Sequence, residues 1–228
     1  MGVVRPAQTI GEFEVTPLTN GRFKENCYVV AHLPTRDCLV VDPGGEDGFL
    51  EQELDARGLR PQKVVLTHGH FDHVGAVDAL MRRFGIACEV HAGEEKLVRQ
   101  AGTYAYRFAR EPLRVPRGLT FFSGAEPLDW NGRTIDVLPT PGHTAGSVAL
   151  ALGGAFVFTG DTLFHERIGP TNYPESDPAA LSASIAALVG ALPDDCVIFP
   201  GHGRPWSIGA ARAWWSALQG PAPSRAIF

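Results

Sequence analysis

Residues 63–75 read KVVLTHGHFDHVG, an apolar run that ends abruptly in His68, His70, Asp72 and His73. Three of the chain's eight histidines therefore fall within six positions. A short, continuous, β-branched run reads as a strand buried on both faces of a covered sheet. Polar groups at the mouth of such a strand are costly unless something pairs with them. Side chains two apart on an extended segment point the same way, so His68 and His70 can reach one point. Asp72 and His73 follow the bend, at the start of the next helix, and can face a second point nearby. Imidazole nitrogens and carboxylate oxygens are the donors zinc accepts, at ~2.0–2.2 Å. Cations held between them would remove the cost of burying so many polar groups.

Elsewhere, short β-type runs alternate with helical patterns along 228 residues, a length that suits one large domain, 1–228. NCYVVA (26–31) and CLVVD (38–42) read as a hairpin, and 46–58 as a helix closed by Gly58. A helix over 75–85 and a strand over 86–91 follow, then three strands at 133–140, 147–152 and 155–160. Residues 177–193 form an amphipathic helix with Asp177 at the N-cap and Pro178 at its first position. A strand at 196–200 and a helix near 207–218 close the pattern, with Trp214 and Trp215 expected to pack into the core rather than to make a dimer contact. Strands clustered in both halves with helices between them predict an α/β fold, two sheets face to face under helices: an αββα sandwich. The segment 99–118 shows no clear periodicity and reads as a lid or insert, or as a solvated excursion with some aromatic packing. Three more ligand-type residues, His143, Asp161 and His202, each sit in a glycine-containing turn after an apolar strand.

Net charge is −5 and the pI is near 5.9, which argues against a general nucleic-acid binder. No apolar run approaches the ~18–20 residues of a membrane span, and the start lacks a signal-peptide pattern. Cys27, Cys38, Cys88 and Cys196 lie in or beside apolar stretches with no CxxC spacing. They read as buried free thiols of a cytoplasmic protein. There is no G-x-S-x-G elbow to supply a serine nucleophile.

The order HxHxDH, then a distant GH, a GD and a final GH, resembles the metallo-β-lactamase superfamily across nearly the whole chain, from NCYVVA and LVVDPGG to PGHG. The resemblance implies that His68, His70 and His143 hold one metal, that Asp72, His73 and His202 hold a second, and that Asp161 bridges them. It makes Asp42 a structural aspartate that orients the histidine loop. Asp161 stands where the commonest zinc β-lactamases carry cysteine, so antibiotic hydrolysis is not expected as the main role. GDTLFHERIG and the C-terminal stretch are similar to hydroxyacylglutathione hydrolases (glyoxalase II) and their shorter bacterial relatives. The full-length enzymes carry a glutathione-binding helical domain after this point, and residues 203–228 are too few for one, so it is not expected here. That branch implies two divalent ions, zinc first and iron or manganese next, with Asp72 and Asp161 as catalytic carboxylates. The implied substrate is a small acyl thioester, and the oligomeric state, monomer or dimer, stays open. Tyr104, Arg107 and Arg110 are candidates to bind a carboxylate-bearing substrate; His165 reads as a rim residue, and His32 and His91 as structural. Where the branch has Arg and Asp after GDTLF, this chain has Pro170 and Asn172, which predicts a rearranged loop and a different substrate fit. Rival readings are a mononuclear iron persulfide dioxygenase, a phosphodiester or lactone hydrolase, and a non-catalytic binding module.

Overall fold

The computed structural model describes residues 2–220. The chain runs β1 (Val3–Val4), β2 (Gln8–Ile10), β3 (Phe13–Asn20), β4 (Glu25–His32), β5 (Asp37–Val41), α1 (Asp47–Ala56), β6 (Arg60–Val65), α2 (Phe71–Val74), α3 (Val77–Phe84), β7 (Ala87–His91), α4 (Glu95–Tyr104) and β8 (Thr120–Phe122). It continues through β9 (Leu128–Trp130), β10 (Arg133–Pro139), β11 (Val148–Leu152), β12 (Phe156–Gly160), the small hairpin β13 (Leu163–Phe164) and β14 (Arg167–Ile168), α5 (Pro178–Ala191), β15 (Val197–Pro200), β16 (Trp206–Ser207) and α6 (Ile208–Gln219). One sheet has the order β1-β3-β4-β5-β6-β7-β8, with β2 also on β3; the other has the order β16-β15-β12-β11-β10-β9.

Period-two alternation explains how the sheets stack. On β4, Tyr28 and Val30 face the second sheet while Cys27, Val29 and Ala31 face the helices. On β5, Leu39 and Val41 point inward and Cys38 and Val40 outward. The second sheet answers with Val148, Leu150, Phe156, Phe158 and Phe199 inside. Its outer face offers small Ala149 and Ala151 to α5 and α6. The result is the predicted αββα sandwich. All four cysteines are buried free thiols. Trp215 packs into the α5–α6 layer with Trp214 against it, as expected.

Most predicted elements lie within two residues of their observed bounds, and Asp177 caps α5 by accepting from the N–H groups of Ala179 and Ala180. Two readings need correction. The strand before the histidines spans Arg60–Val65, so Leu66 and Thr67 already belong to the turn. Residues 99–118 are not irregular throughout: α4 continues into a π-type turn, Ala105–Ala109, and only 110–119 lack a regular element. The buried stripe of that helical stretch is Leu97, Val98, Ala101, Ala105 and Ala109. Its alanines are too small to mark a periodicity beside exposed Tyr106 and Phe108.

The topology brings the ligand-type residues together. β10, β12 and β15 run the same way, and their C-terminal ends lead to His143, Asp161 and His202. The end of β6 delivers His68 to the same rim.

Candidate metal centre

The ligand atoms of His68, His70 and His143 lie within 4.8 Å of one another, as do those of Asp72, His73 and His202. Asp161 stands between the two trios. Its Oδ2 is 3.6 Å from His143 Nε2, and its Oδ1 is 3.4 Å from His73 Nε2 and 3.6 Å from His202 Nε2. Among the described residues no other carboxylate has ion pairs into both trios. The structure therefore gathers all seven sequence-predicted ligands on one rim.

Hydrogen bonds fix which ring nitrogen each histidine offers. Thr67 donates its backbone N–H to Asp42 Oδ1 (2.7 Å) and its hydroxyl to Asp42 Oδ2 (2.6 Å). The hydroxyl oxygen then accepts from His68 Nδ1 at 3.1 Å, which leaves His68 Nε2 as the lone-pair nitrogen. His73 Nδ1 donates to Asp42 Oδ2 at 3.1 Å, His143 Nδ1 to the Pro170 carbonyl at 2.7 Å, and His202 Nδ1 to the Phe23 carbonyl at 3.2 Å. His70 is turned the other way: Nε2 donates to Glu175 Oε1 at 3.2 Å, and Nδ1 faces the site, 2.9 Å from His143 Nε2. Each of the five rings thus has one nitrogen tied to the protein and the other aimed at a shared space, the outer-shell pattern of metal-ligating histidine.

The shared space holds atoms with charge partners at 3.4–3.6 Å but without hydrogen bonds. His68 Nε2, His73 Nε2 and Asp161 Oδ1 are buried and have no hydrogen-bond partner among the described residues. Such an orphan costs about 1–3 kcal/mol, and three meeting at one point are rare without a ligand. The donor set fits divalent ions that accept imidazole and carboxylate. Burial, with the His73 ring second, pushes the His68 imidazole well below its usual pKa and keeps it neutral, the form that ligates. Burial works to raise Asp161, but His202, His73 and His143 outweigh it and hold the carboxyl well below the ordinary range. Burial also works to lower His73, but Asp161 and Asp42 outweigh it, so that ring is raised.

Local sequence explains the placement. A Cβ on Gly201 would sit 2.3 Å from Asp161 Oδ1 and 2.9 Å from the His73 ring, so only glycine lets the His202 turn approach. The NCY stretch does more than build a strand. Asn26 donates its side-chain amide to the carbonyls of Pro200 (3.1 Å) and Gly203 (2.9 Å), and the Tyr28 hydroxyl also reaches Pro200 (2.6 Å). Asp42, buried and at φ 50°, holds Thr67 and His73 at once.

The remaining candidates sit farther out. Tyr104 stacks on Phe108 (centroids 6.1 Å apart), which stacks on Phe71 (6.4 Å), the neighbour of Asp72. The guanidinium of Arg107 lies 5.5 Å over Phe108 and that of Arg110 lies 5.8 Å over Tyr106, both on exposed residues. A cavity of about 660 Å³ opens beside Asp72, lined by Phe23, Phe71, Glu25, Arg22 and Arg114 among others. His165 packs on Trp206 at the rim, His32 is buried against Thr35 and Arg133, and His91 accepts from the Gly93 N–H.

Sequence reasoning missed Tyr173, whose ring meets those of His70 (5.1 Å) and His143 (5.8 Å) edge-on. It also missed Glu175, the partner of His70. Both lie in the loop that departs from the glyoxalase II pattern at Pro170 and Asn172, and that departure was the available signal. Glu94, a fully buried carboxylate, gave no signal in spacing at all.

The family model described as the metallo-β-lactamase superfamily matches residues 20–202. The chain belongs to the metallo-β-lactamase superfamily. Within it, the chain is 35% identical over 222 residues to an uncharacterised protein of Mycobacterium tuberculosis, covering 90% of this chain and 98% of the other. It is 34% identical over 201 residues to a hydroxyacylglutathione hydrolase of Haemophilus influenzae, covering 86% and 92%. Among solved superfamily structures it resembles the BLEG-1 B3 metallo-β-lactamase, with a TM-score of 0.83 and 31% identity over 90% of this chain and 99% of that one. A second, solved in a di-iron-bound form, gives a TM-score of 0.77 and 34% identity over 86% and 96%. No helix among the described residues is long and apolar enough to cross a membrane.

Proposed function

We propose that this superfamily member is a dinuclear metal-dependent hydrolase acting on a small acyl thioester such as S-lactoylglutathione. The observation that carries the reading is the set of five histidines whose outer nitrogens are tied to protein, so that five inner nitrogens and Asp161 converge on one space. His68 Nε2, His70 Nδ1 and His143 Nε2 would hold one divalent ion, and Asp72, His73 Nε2 and His202 Nε2 a second, with Asp161 shared. Bound there, such ions lower the pKa of water from 15.7 to about 7 and polarise a carbonyl. Zinc, iron and manganese all accept this donor set. The relative named as a hydroxyacylglutathione hydrolase and the di-iron-bound neighbour support this branch and this chemistry.

The chain's own groups do the rest. Asp72, at the edge of the cavity, is placed to orient an attacking water and hold its proton. Water adds to the thioester carbonyl carbon, the C–S bond breaks, and the thiol departs as thiolate. A thiol pKa near ~8.5 makes that departure easy, so no strong general acid is required of the protein. Phe23 and Phe71 offer apolar walls to the acyl group.

The test is hydrolysis of S-lactoylglutathione by metal-replete protein, its loss after chelator dialysis, and its return with added metal. No thioester turnover by metal-replete protein would overturn the reading. The similarity to a B3 metallo-β-lactamase favours one second reading, opening of a β-lactam amide at the same site. A chromogenic cephalosporin assayed in parallel decides between them.

Tyr104, Arg107 and Arg110 would meet a carboxylate on the thiol carrier. Replacing both arginines by alanine is expected to raise KM for S-lactoylglutathione by up to about tenfold with kcat unchanged, the mark of lost uniform binding. An unchanged KM would remove these residues from the site.

A further inference from the structure

The two loops that carry the first trio come from different sheets. His68 and His70 leave β6, and His143 leaves β10. What ties them together is Glu94, in the short turn between β7 and α4. Its Oε2 accepts the N–H of Gly69 at 2.7 Å, and its Oε1 accepts the N–H of Gly146 at 2.7 Å. Gly69 lies between His68 and His70; Gly146 lies three residues after His143. The side chain is fully buried, and one carboxylate thus spans both loops.

The surrounding backbone is shaped for this clamp. A Cβ on Gly146 would stand 2.8 Å from Glu94 Oε1 and 2.8 Å from His91 Nδ1. A Cβ on Gly69 would stand 3.1 Å from the Glu94 carbonyl and 3.0 Å from Val98 Cγ2. Gly146 is therefore required for this approach, and a side chain at Gly69 would press on Val98 and the Glu94 carbonyl by a few tenths of an ångström. A buried carboxylate that accepts two backbone N–H groups makes charge-assisted bonds, stronger than neutral ones. Neither bond touches a residue of the second trio or its immediate neighbours.

We infer that Glu94 is a positioning residue for one metal only: it sets the spacing of the His68–His70 loop against the His143 loop, and so the affinity and geometry of the first site. The inference rests on the two-site reading above. Asp42 serves both sites, reaching His73 directly and His68 through Thr67, whereas Glu94 reaches only the backbone beside the first trio.

Glutamine at this position cannot serve, because its amide nitrogen would face an N–H donor. Glu94→Gln is therefore expected to weaken one of the two sites by about 10- to 100-fold, the range for outer-shell partners, and to leave the other within about threefold. Metal-free wild type and variant are titrated with Co(II) against a chromophoric chelator, and the visible d–d spectrum of each site is recorded. Selective weakening of one site, with a changed spectrum for that site, supports the inference. Equal retention at both sites, or equal weakening of both, overturns it. If Glu94→Gln does not fold, Glu94→Asp takes its place: it keeps the charge, is one methylene short of spanning both loops, and is read by the same criteria. A wild type that binds no metal overturns the two-site reading itself, before any substitution is compared.

Discussion

Asp161→Ala is expected to purify with no more than one metal per chain and to lose hydrolytic activity by more than about 100-fold. Asp161 stands between His73, His143 and His202 at 3.4–3.6 Å and is the carboxylate with ion pairs into both trios among the described residues. Outer-shell partners typically cost 10–100-fold in affinity or activity, so a shared inner ligand is expected to cost more. Alanine removes the charge that offsets three imidazoles crowding one space, and it leaves the two trios with nothing to fix their separation. Asp161→Asn keeps the shape without the charge and should fall between wild type and alanine. Metal analysis and the thioester assay read both variants. Retention of both metals with full turnover would show that Asp161 does not bridge.

The second large effect falls on Asp42→Asn, expected to lower the stability of the metal-free protein by about 3 kcal/mol. Asp42 accepts three buried hydrogen bonds, from Thr67 N, Thr67 Oγ1 and His73 Nδ1. Bonds to a charged acceptor contribute about 1.5–3 kcal/mol each, and an orphaned buried donor costs about 1–3 kcal/mol. At ~2–4 °C per kcal/mol for a chain of this size, Tm should drop by roughly 6–12 °C. Asparagine also points an N–H₂ at His73 Nδ1. The ring can accept it only by moving its own proton to Nε2, the nitrogen offered to the second site. Affinity at that site should therefore fall by about 10–100-fold alongside the stability. A thermal melt and a metal titration of the same preparation check the two halves. An unchanged Tm would mean that the three bonds are not what holds the loop.

Much of this was legible in residues 63–75 alone. A buried strand cannot end in three histidines and an aspartate unless they share a purpose, and the spacing already sorted them into two facing pairs. The sheets were legible where β-branched and small apolar residues alternate cleanly, as in Tyr28-Val29-Val30 and Leu39-Val40-Val41. The Asp177-Pro178 pair marked the start of α5 for the same local reason that it caps it.

What escaped was decided at longer range. β3 carries Pro17, which lacks an N–H and reads as a strand breaker. It is tolerated because β2 pairs with β3 only as far as Val15 and β1 pairs with it only from Leu18, so no ladder bond on that edge needs a Pro17 N–H, and its carbonyl accepts from Arg5 N. The helical stretch from Glu95 to Ala109 hid behind alanines. Glu94 and Glu175 act on residues about 25 to 105 positions away, and no spacing rule connects them. Three outer-shell partners, Phe23 O, Pro170 O and Thr67 Oγ1, are backbone or hydroxyl groups whose roles only the folded arrangement reveals.

Metal content per chain, by elemental analysis of protein purified without chelator, decides whether the centre is dinuclear. Two equivalents of zinc, iron or manganese are expected. One equivalent of iron with little else would contradict a dinuclear centre, and would direct the next assay to oxygen consumption with glutathione persulfide.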